Sequence, residues 1–305
     1  MRAGPASSSR FLDPHVLAGI APLELRAKAV VEGLLAGLHR SPFKGFSVEF
    51  SQYRQYSPWD DPRRMDWKVY GRSDRYFIKE FEAETNLRAY ILLDTSASMG
   101  YQSEGTPFSK LEYASTLAAS LAHLMLKQRD QVGLAAFHQN VHTWVPLSSR
   151  MSHWQLLLHT LGECRPSLMT KIAQPLHEAA ERLKKRGLVI LLTDGLDDPE
   201  YFEKGLQHLK FLKHDVIVFQ ILDPAELIFP FQGLVEIEEM ETHVKRLIHA
   251  DASREEYQKN FRVFIEQYYQ ICSRFEVDHL MLTTTDPLDV ALSAYLAKRA
   301  ASGKA

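Results

Sequence analysis

The stretch Ala89-Tyr90-Ile91-Leu92-Leu93-Asp94-Thr95-Ser96-Ala97-Ser98 decides the fold. Five apolar residues in a row have the length of a strand, and a strand without polar alternation is one buried on both faces. Where the run stops, the pattern D-x-S-x-S sets one carboxylate and two hydroxyls at the strand's carboxyl end. All three are hard oxygen donors, the kind that Mg²⁺ or Mn²⁺ takes. A second apolar run, Gly187-Leu188-Val189-Ile190-Leu191-Leu192, ends in Thr193-Asp194-Gly195. Between the two runs, Thr170 opens a predicted helix. Asp94, Ser96, Ser98, Thr170 and Asp194 are therefore the candidate ligands of a single divalent ion, brought together by two strand ends and one helix start.

Outward from these runs, strand and helix alternate. Ser109 and Glu112 form a capping box ahead of a helix whose apolar positions include Leu111, Ala114, Leu117, Leu121 and Leu124. Residues 132–137 and 141–145 read as a strand pair joined at Gln139-Asn140. Helices are predicted near 151–161, 171–184 and 200–212, and a further strand over 216–221. After Asp223-Pro224 the pattern is interrupted by an apparent hairpin, 234–239 with 244–249. A long helix with Tyr257, Phe261, Phe264, Tyr268 and Ile271 on its stripe follows, then a strand over 277–282. Asp286-Pro287 has the order of an N-cap and a first-turn proline for the last helix. Such alternation predicts an α/β fold, a mostly parallel, doubly wound sheet with helices on both faces. Ligands of these sheets bind beyond the carboxyl ends of the strands, where Asp94 and Asp194 stand.

The amino-terminal part differs. Residues 1–13 read as a frayed terminus and about 22–39 as an amphipathic helix. Residues 43–86 are crowded with aromatics, and Ser47–Phe50 and Tyr76–Phe81 alternate like strands. This predicts a small β-rich lobe over 40–86, between a tail and helix (1–39) and the α/β domain (87–300), whose inserted hairpin covers about 223–253.

Composition excludes several classes. The chain has 305 residues, 45% hydrophobic and 24% charged, as globular domains do, and its net charge of −2 offers no general attraction to nucleic acid or to an anionic membrane. Its two cysteines, Cys164 and Cys272, lie far apart and outside any zinc-type spacing, so they read as reduced packing thiols. No apolar stretch approaches the ~18 residues of a membrane span, and no signal peptide is read at the start. A cytoplasmic protein without a membrane or nucleic-acid partner is expected.

Asp94-x-Ser96-x-Ser98, Thr170 and Asp194, in that order and at strand ends, resemble the metal-ion-dependent adhesion site of von Willebrand factor A domains. A longer set of motifs resembles one bacterial family, the domain-of-unknown-function family number 58. It includes Phe43-Lys44-Gly45-Phe46-Ser47-Val48-Glu49-Phe50, Arg54-x-Tyr56, Pro58-Trp59-Asp60-Asp61-x-Arg63 and Met65-Asp66-Trp67-Lys68. Lys79-x-Phe81-x-Ala83-Glu84, Asp223-Pro224-Ala225-Glu226 and Thr283-Thr284-Thr285-Asp286-Pro287-Leu288 extend it. Trp59 and Met65 depart from the family's usual Gly and Ile, away from the ion site. The resemblance implies an A-type domain carrying Mg²⁺ or Mn²⁺ and a role beside MoxR-type AAA+ ATPases in maturation or assembly. It implies no enzymatic activity.

The chemistry follows from the donors. Two carboxylates offset the +2 of the ion, and an incompletely filled coordination shell is left for an Asp or Glu of a protein partner. The competing readings are a metal-dependent hydrolase and a phosphate- or nucleic-acid-binding protein. A phosphatase of the aspartyl type wants a second Asp where Ser96 stands, Ser96 lacks a G-x-S-x-G elbow, and His138, His142, His153 and His159 do not form H-E-x-x-H. The segment 54–79 carries seven Lys and Arg against four Asp, which favours an internal network of ion pairs over phosphate contact. Asp197-Asp198 reads as an acidic helix cap rather than as further ion ligands.

Overall fold

The computed structural model describes residues 13–20, 22–40, 53–55, 77–79, 87–167, 171–238, 240 and 244–302. The chain divides into two compact units, residues 38–86 and, as the other, residues 1–37 with 87–305. Of the smaller unit, the described residues are the last of a helix and two strands, β1 (Tyr53–Gln55) and β2 (Phe77–Lys79), paired antiparallel with Arg54 opposite Ile78. β2 falls within the predicted strand Tyr76–Phe81. The other predicted strand, Ser47–Phe50, lies outside the described residues.

The larger unit starts with α1 (Pro14–Ala18), capped by Asp13, and α2 (Leu23–Arg40). Ala27, Val30, Val31 and Leu34 are buried along one stripe of α2, the amphipathic face expected there. From Leu87 the elements run β3 (Arg88–Asp94), a 3₁₀ turn (Ala97–Gly100), α3 (Lys110–Lys127), β4 (Gln131–Phe137), β5 (Val141–Ser148), α4 (His153–Glu163), α5 (Ala173–Arg182), β6 (Leu188–Thr193), α6 (Pro199–Phe211) and β7 (Asp215–Leu222). Then come α7 (Pro224–Ile228), the hairpin β8 (Leu234–Glu238) and β9 (Lys245–His249), α8 (Ala250–Arg274), β10 (Asp278–Thr283) and α9 (Leu288–Ser302).

Six strands form the central sheet in the order β10-β7-β6-β3-β4-β5. All neighbours pair parallel except β4 with β5, which are joined by a short loop and run antiparallel. Both alternating sets of residues on β3, β4, β6 and β7 are buried, which requires cover on each face. Tyr90, Leu92, Val189, Leu191 and Val218 share one core cluster with Leu176 of α5, Phe202 of α6 and Tyr268 of α8. On the opposite face Ile91, Leu93, Ile190 and Phe219 are equally buried. α3 packs across β3, β4, β6 and β7, with α4 and α9 against it. The α/β fold with a mainly parallel sheet and flanking helices is thus the one expected.

Local chemistry sets the boundaries. Ser109 accepts the N–H of Glu112 and the Glu112 carboxylate accepts that of Ser109, the complete capping box. Asp198 caps α6 through the Glu200 N–H, with Pro199 at the first position; of the Asp197-Asp198 pair only Asp198 is the cap, while the Asp197 carboxylate accepts the N–H groups of Ile172 and Asp198. Asp286 behaves otherwise. The last helix starts at Leu288, and the Asp286 carboxylate turns back to accept the Thr283 N–H at 2.7 Å. It closes the turn after β10 instead of capping α9. No helix among the described residues is long and apolar enough to cross a membrane.

Candidate metal centre

Strand order creates the site. The chain leaves β3 toward β4 on one side and leaves β6 toward β7 on the other, so the loops after the adjacent β3 and β6 diverge. The gap between them is the topological switch point of the sheet. Leu93 lies opposite Leu192, which puts Asp94 and Thr193 side by side at the carboxyl ends. Asp94, Ser96 and Asp194 are buried; Ser98 is partly open, at the surface end of the group. Thr170 lies outside the described residues.

Each carboxylate is held by defined donors. Asp94 Oδ1 accepts the Ser96 N–H at 2.9 Å and Asp94 Oδ2 accepts the Thr193 hydroxyl at 2.6 Å. Asp194 Oδ1 accepts the Leu196 N–H at 3.0 Å, and the Gln220 amide donates to the Asp194 carbonyl at 3.1 Å. The Ser96 and Ser98 hydroxyl oxygens are 3.1 Å apart. Burial, and then the charge of Asp194, push the Asp94 carboxyl up to about 7, against the pull of its hydrogen bonds from Thr193 and Ser96.

One cation is present, and the sequence had not marked it. Lys110, the first residue of α3, is completely buried, and its ammonium donates to Asp194 Oδ2 at 2.9 Å and to Glu226 Oε1 at 2.6 Å. Burial works against its charge, but Asp194 and Glu226 outweigh that and raise its pKa. Glu226 is itself raised by burial, with Lys110 opposing. Its second oxygen accepts the Asp223 N–H at 2.7 Å, so Asp223-Pro224-Ala225-Glu226 is a capping box that also delivers a carboxylate to Lys110. A lysine in the first turn opposes the helix dipole; that misplacement was the one local signal of its role. The Lys110 ammonium is thus shared between Asp194 and Glu226, while Asp94 is held by Thr193 and Ser96.

The donor set fits a hard divalent cation: carboxylates on adjacent strand ends and a pair of hydroxyls, all oxygen. Among the described residues no three His, Cys, Asp or Glu side chains are arranged to hold a metal, so a nitrogen- or sulfur-rich zinc site is not formed there. Asp94, Ser96, Ser98 and Asp194 are the described residues that would hold Mg²⁺ or Mn²⁺.

The four histidines have separate neighbours. The Thr95 hydroxyl donates to the Phe137 carbonyl at 2.8 Å, so it accepts from His142 Nε2 at 3.0 Å. His138 stacks on His142, His153 reaches the Val132 carbonyl and His159 faces Glu163 on its own helix. Two glycines stand beside the site: a Cβ on Gly195 would lie 2.8 Å from the Tyr268 ring and one on Gly100 would lie 2.9 Å from Pro166. They admit neighbouring side chains. Gly195 in addition has a φ of +70°, the left-handed region.

Residues 52–265 match the family model described as protein of unknown function DUF58. The uncharacterized protein Rv1480 of Mycobacterium tuberculosis is 28% identical over 239 residues, covering 77% of this chain and 74% of its own, and a counterpart in Mycobacterium bovis matches equally. Among solved structures, the conserved hypothetical protein BatB from Bacteroides thetaiotaomicron is similar at 16% identity and a TM-score of 0.44, over 70% of this chain and 98% of BatB. An Rpn10 VWA domain is similar at 11% identity and a TM-score of 0.43, over 68% of this chain and 94% of that domain.

Proposed function

The chain belongs to the DUF58 family, and from that premise we propose that it is a divalent-metal-dependent protein-interaction module without enzymatic activity. The observation that carries this is the burial of Asp94 and Asp194 at adjacent strand ends of the switch point, with Ser98 opening outward. When bound, Mg²⁺ or Mn²⁺ supplies an electrophilic position that accepts a carboxylate. Asp94 and Asp194 supply negative charge, Ser96 and Ser98 supply neutral oxygens, and Lys110 keeps Asp194 oriented by occupying its second oxygen. A partner's Asp or Glu completes the shell and makes docking dependent on the ion. The resemblance described above makes a MoxR-type AAA+ ATPase the first partner to test, in an adaptor or assembly role within the cytoplasm.

Calorimetric titration of Mg²⁺ and Mn²⁺ into the wild type and Asp94→Asn is the direct test. Asp94→Asn keeps one oxygen, for the Ser96 N–H, and presents its amide nitrogen to the Thr193 hydroxyl, which can accept in place of donating, so the fold should persist while ion binding is lost. Co-purification with the ATPase in Mg²⁺ and in EDTA then reads docking. Equal ion binding by both proteins, or docking indifferent to EDTA and to Asp94→Asn, would overturn the reading.

A further inference from the structure

Both carboxylate oxygens of Asp194 are taken in this fold. Oδ1 accepts the Leu196 N–H at 3.0 Å, and Oδ2 accepts the Lys110 ammonium at 2.9 Å. The lysine is fixed at both ends. Its backbone N–H donates to the Tyr101 carbonyl at 3.1 Å, next to the Ser109–Glu112 capping box that starts α3. Its ammonium reaches Glu226 at 2.6 Å and lies 5.9 Å from the centre of the Tyr101 ring. Glu226 is held in turn by the Asp223 N–H, and Asp223 accepts the N–H groups of Ser103 and Ala225. The side chains of Lys110, Asp194 and Glu226 are 0%, 1% and 14% exposed, so little solvent screens the group.

A divalent ion held by Asp94 and Asp194 would share the Asp194 carboxylate with this ammonium. Two cations on one buried carboxylate repel each other with little water between them, far more strongly than at a surface. Orienting Asp194 needs only a hydrogen-bond donor, which a neutral side chain can supply. The charge of Lys110 has a different effect, since it opposes the ion. Glu226 limits that opposition, because it draws the ammonium and offsets its charge. A carboxylate from a partner, joined to the ion, offsets the same charge from outside. Ion and partner then strengthen each other's binding by one common factor.

We propose that Lys110 is a tethered competitor of the ion, whose charge lowers the affinity of the site for Mg²⁺ or Mn²⁺, with Glu226 setting how far. The inference rests on the ion site proposed above and concerns its regulation.

Calorimetric titration of Mg²⁺, and separately of Mn²⁺, into the full chain tests it in wild type, Lys110→Gln, Lys110→Met and Glu226→Gln, with near-UV circular dichroism to establish folding. Lys110→Gln keeps a donor for Asp194 and removes the charge. It should bind both ions at least about tenfold more tightly than the wild type, within the usual range of coupling between sites. Lys110→Met lacks charge and donor alike and should also bind more tightly than the wild type. Glu226→Gln leaves the ammonium with Asp194 as its one charged partner and should bind more weakly. If the lysine only orients Asp194, Lys110→Gln matches the wild type and Lys110→Met binds more weakly. That pattern would overturn the competitor role and leave the ion site standing. Should neither lysine variant fold, unchanged or tighter binding by Glu226→Gln overturns it. Ion binding that is absent from all four proteins, or that Asp94→Asn leaves intact, would discard the ion site and this inference together.

Discussion

The ammonium of Lys110 lies 2.9 Å from Asp194 Oδ2, fully buried, across 84 residues of sequence. It joins the first turn of α3 to the end of β6 and, through Glu226, to α7. Removing one member of a buried ionic group strands the others, at about 3–5 kcal/mol. Lys110→Met should therefore lower the unfolding free energy by an amount of that order, read as a lower urea midpoint. It should also make stability more sensitive to Mg²⁺, since the stranded carboxylates then have a greater need of a cation. Urea melts with and without Mg²⁺ measure both; an unchanged midpoint would contradict the role given to Lys110.

Thr193 couples the two strand ends in a different way. Its hydroxyl donates to Asp94 Oδ2 and accepts the Gly195 N–H at 3.0 Å, so Thr193→Val removes two hydrogen bonds while conserving shape. Leaving such buried groups unpaired costs about 1–3 kcal/mol. The variant should lose stability in that range and bind Mg²⁺ more weakly, because the Asp94 carboxylate is no longer oriented. Chemical denaturation and calorimetry on the same preparation give the two readouts.

Gly195 and Gly105 form a natural comparison. Both have positive φ, +70° and +84°, but a Cβ would meet the Tyr268 ring at Gly195 and nothing within 4 Å at Gly105. Gly105→Ala should carry only the backbone penalty, about 1 kcal/mol. Gly195→Ala should cost about 1–3 kcal/mol more, because the ring belongs to a packed core that resists insertion. Equal melting temperatures for the two variants would contradict the contact with Tyr268.

The pH dependence of folding should carry the mark of His123. This side chain is 4% exposed, packs 4.2 Å from Trp154 and has no hydrogen-bond partner for Nδ1. Burial first, then Lys127 and Lys28, lower its pKa from 6.5 to about 4. Above the unfolded value both states are neutral there. As pH falls from about 6.5 toward 4 only the unfolded chain takes the proton, so stability is lost across that window, by about 3 kcal/mol at most. His123→Phe should flatten the stability curve between those values. An identical slope in wild type and variant would show that other groups set it.

Much of the fold is legible in the chain because the deciding forces are local. The apolar runs at 89–93 and 188–192 are long enough for a strand and carry no polar residue, so they can only be central strands of a covered sheet. Ser109 with Glu112 and Asp198 with Pro199 mark helix starts through hydrogen bonds that span two or three residues. The hairpin at 234–249 announces itself by interrupting the alternation. Even the placing of Asp94 and Asp194 at strand ends follows from where hydrophobicity stops.

Tertiary structure decided what depends on partners distant in sequence. Lys110 shows locally only as a cation in a helix's first turn until strand order brings Asp194 and Glu226 to it, 84 and 116 residues away. Gly195 and Gly100 are small because Tyr268 and Pro166 pack onto them. The cavity lined by Ser98, Tyr101, Val235, Ile237 and Tyr257 exists only because the hairpin and α8 fold over the loop after β3. Hydrophobic periodicity and capping act over a few residues and are written in order along the chain. The pairing of buried charges and the closure of cavities act through space, and only the assembled sheet defines which side chains meet.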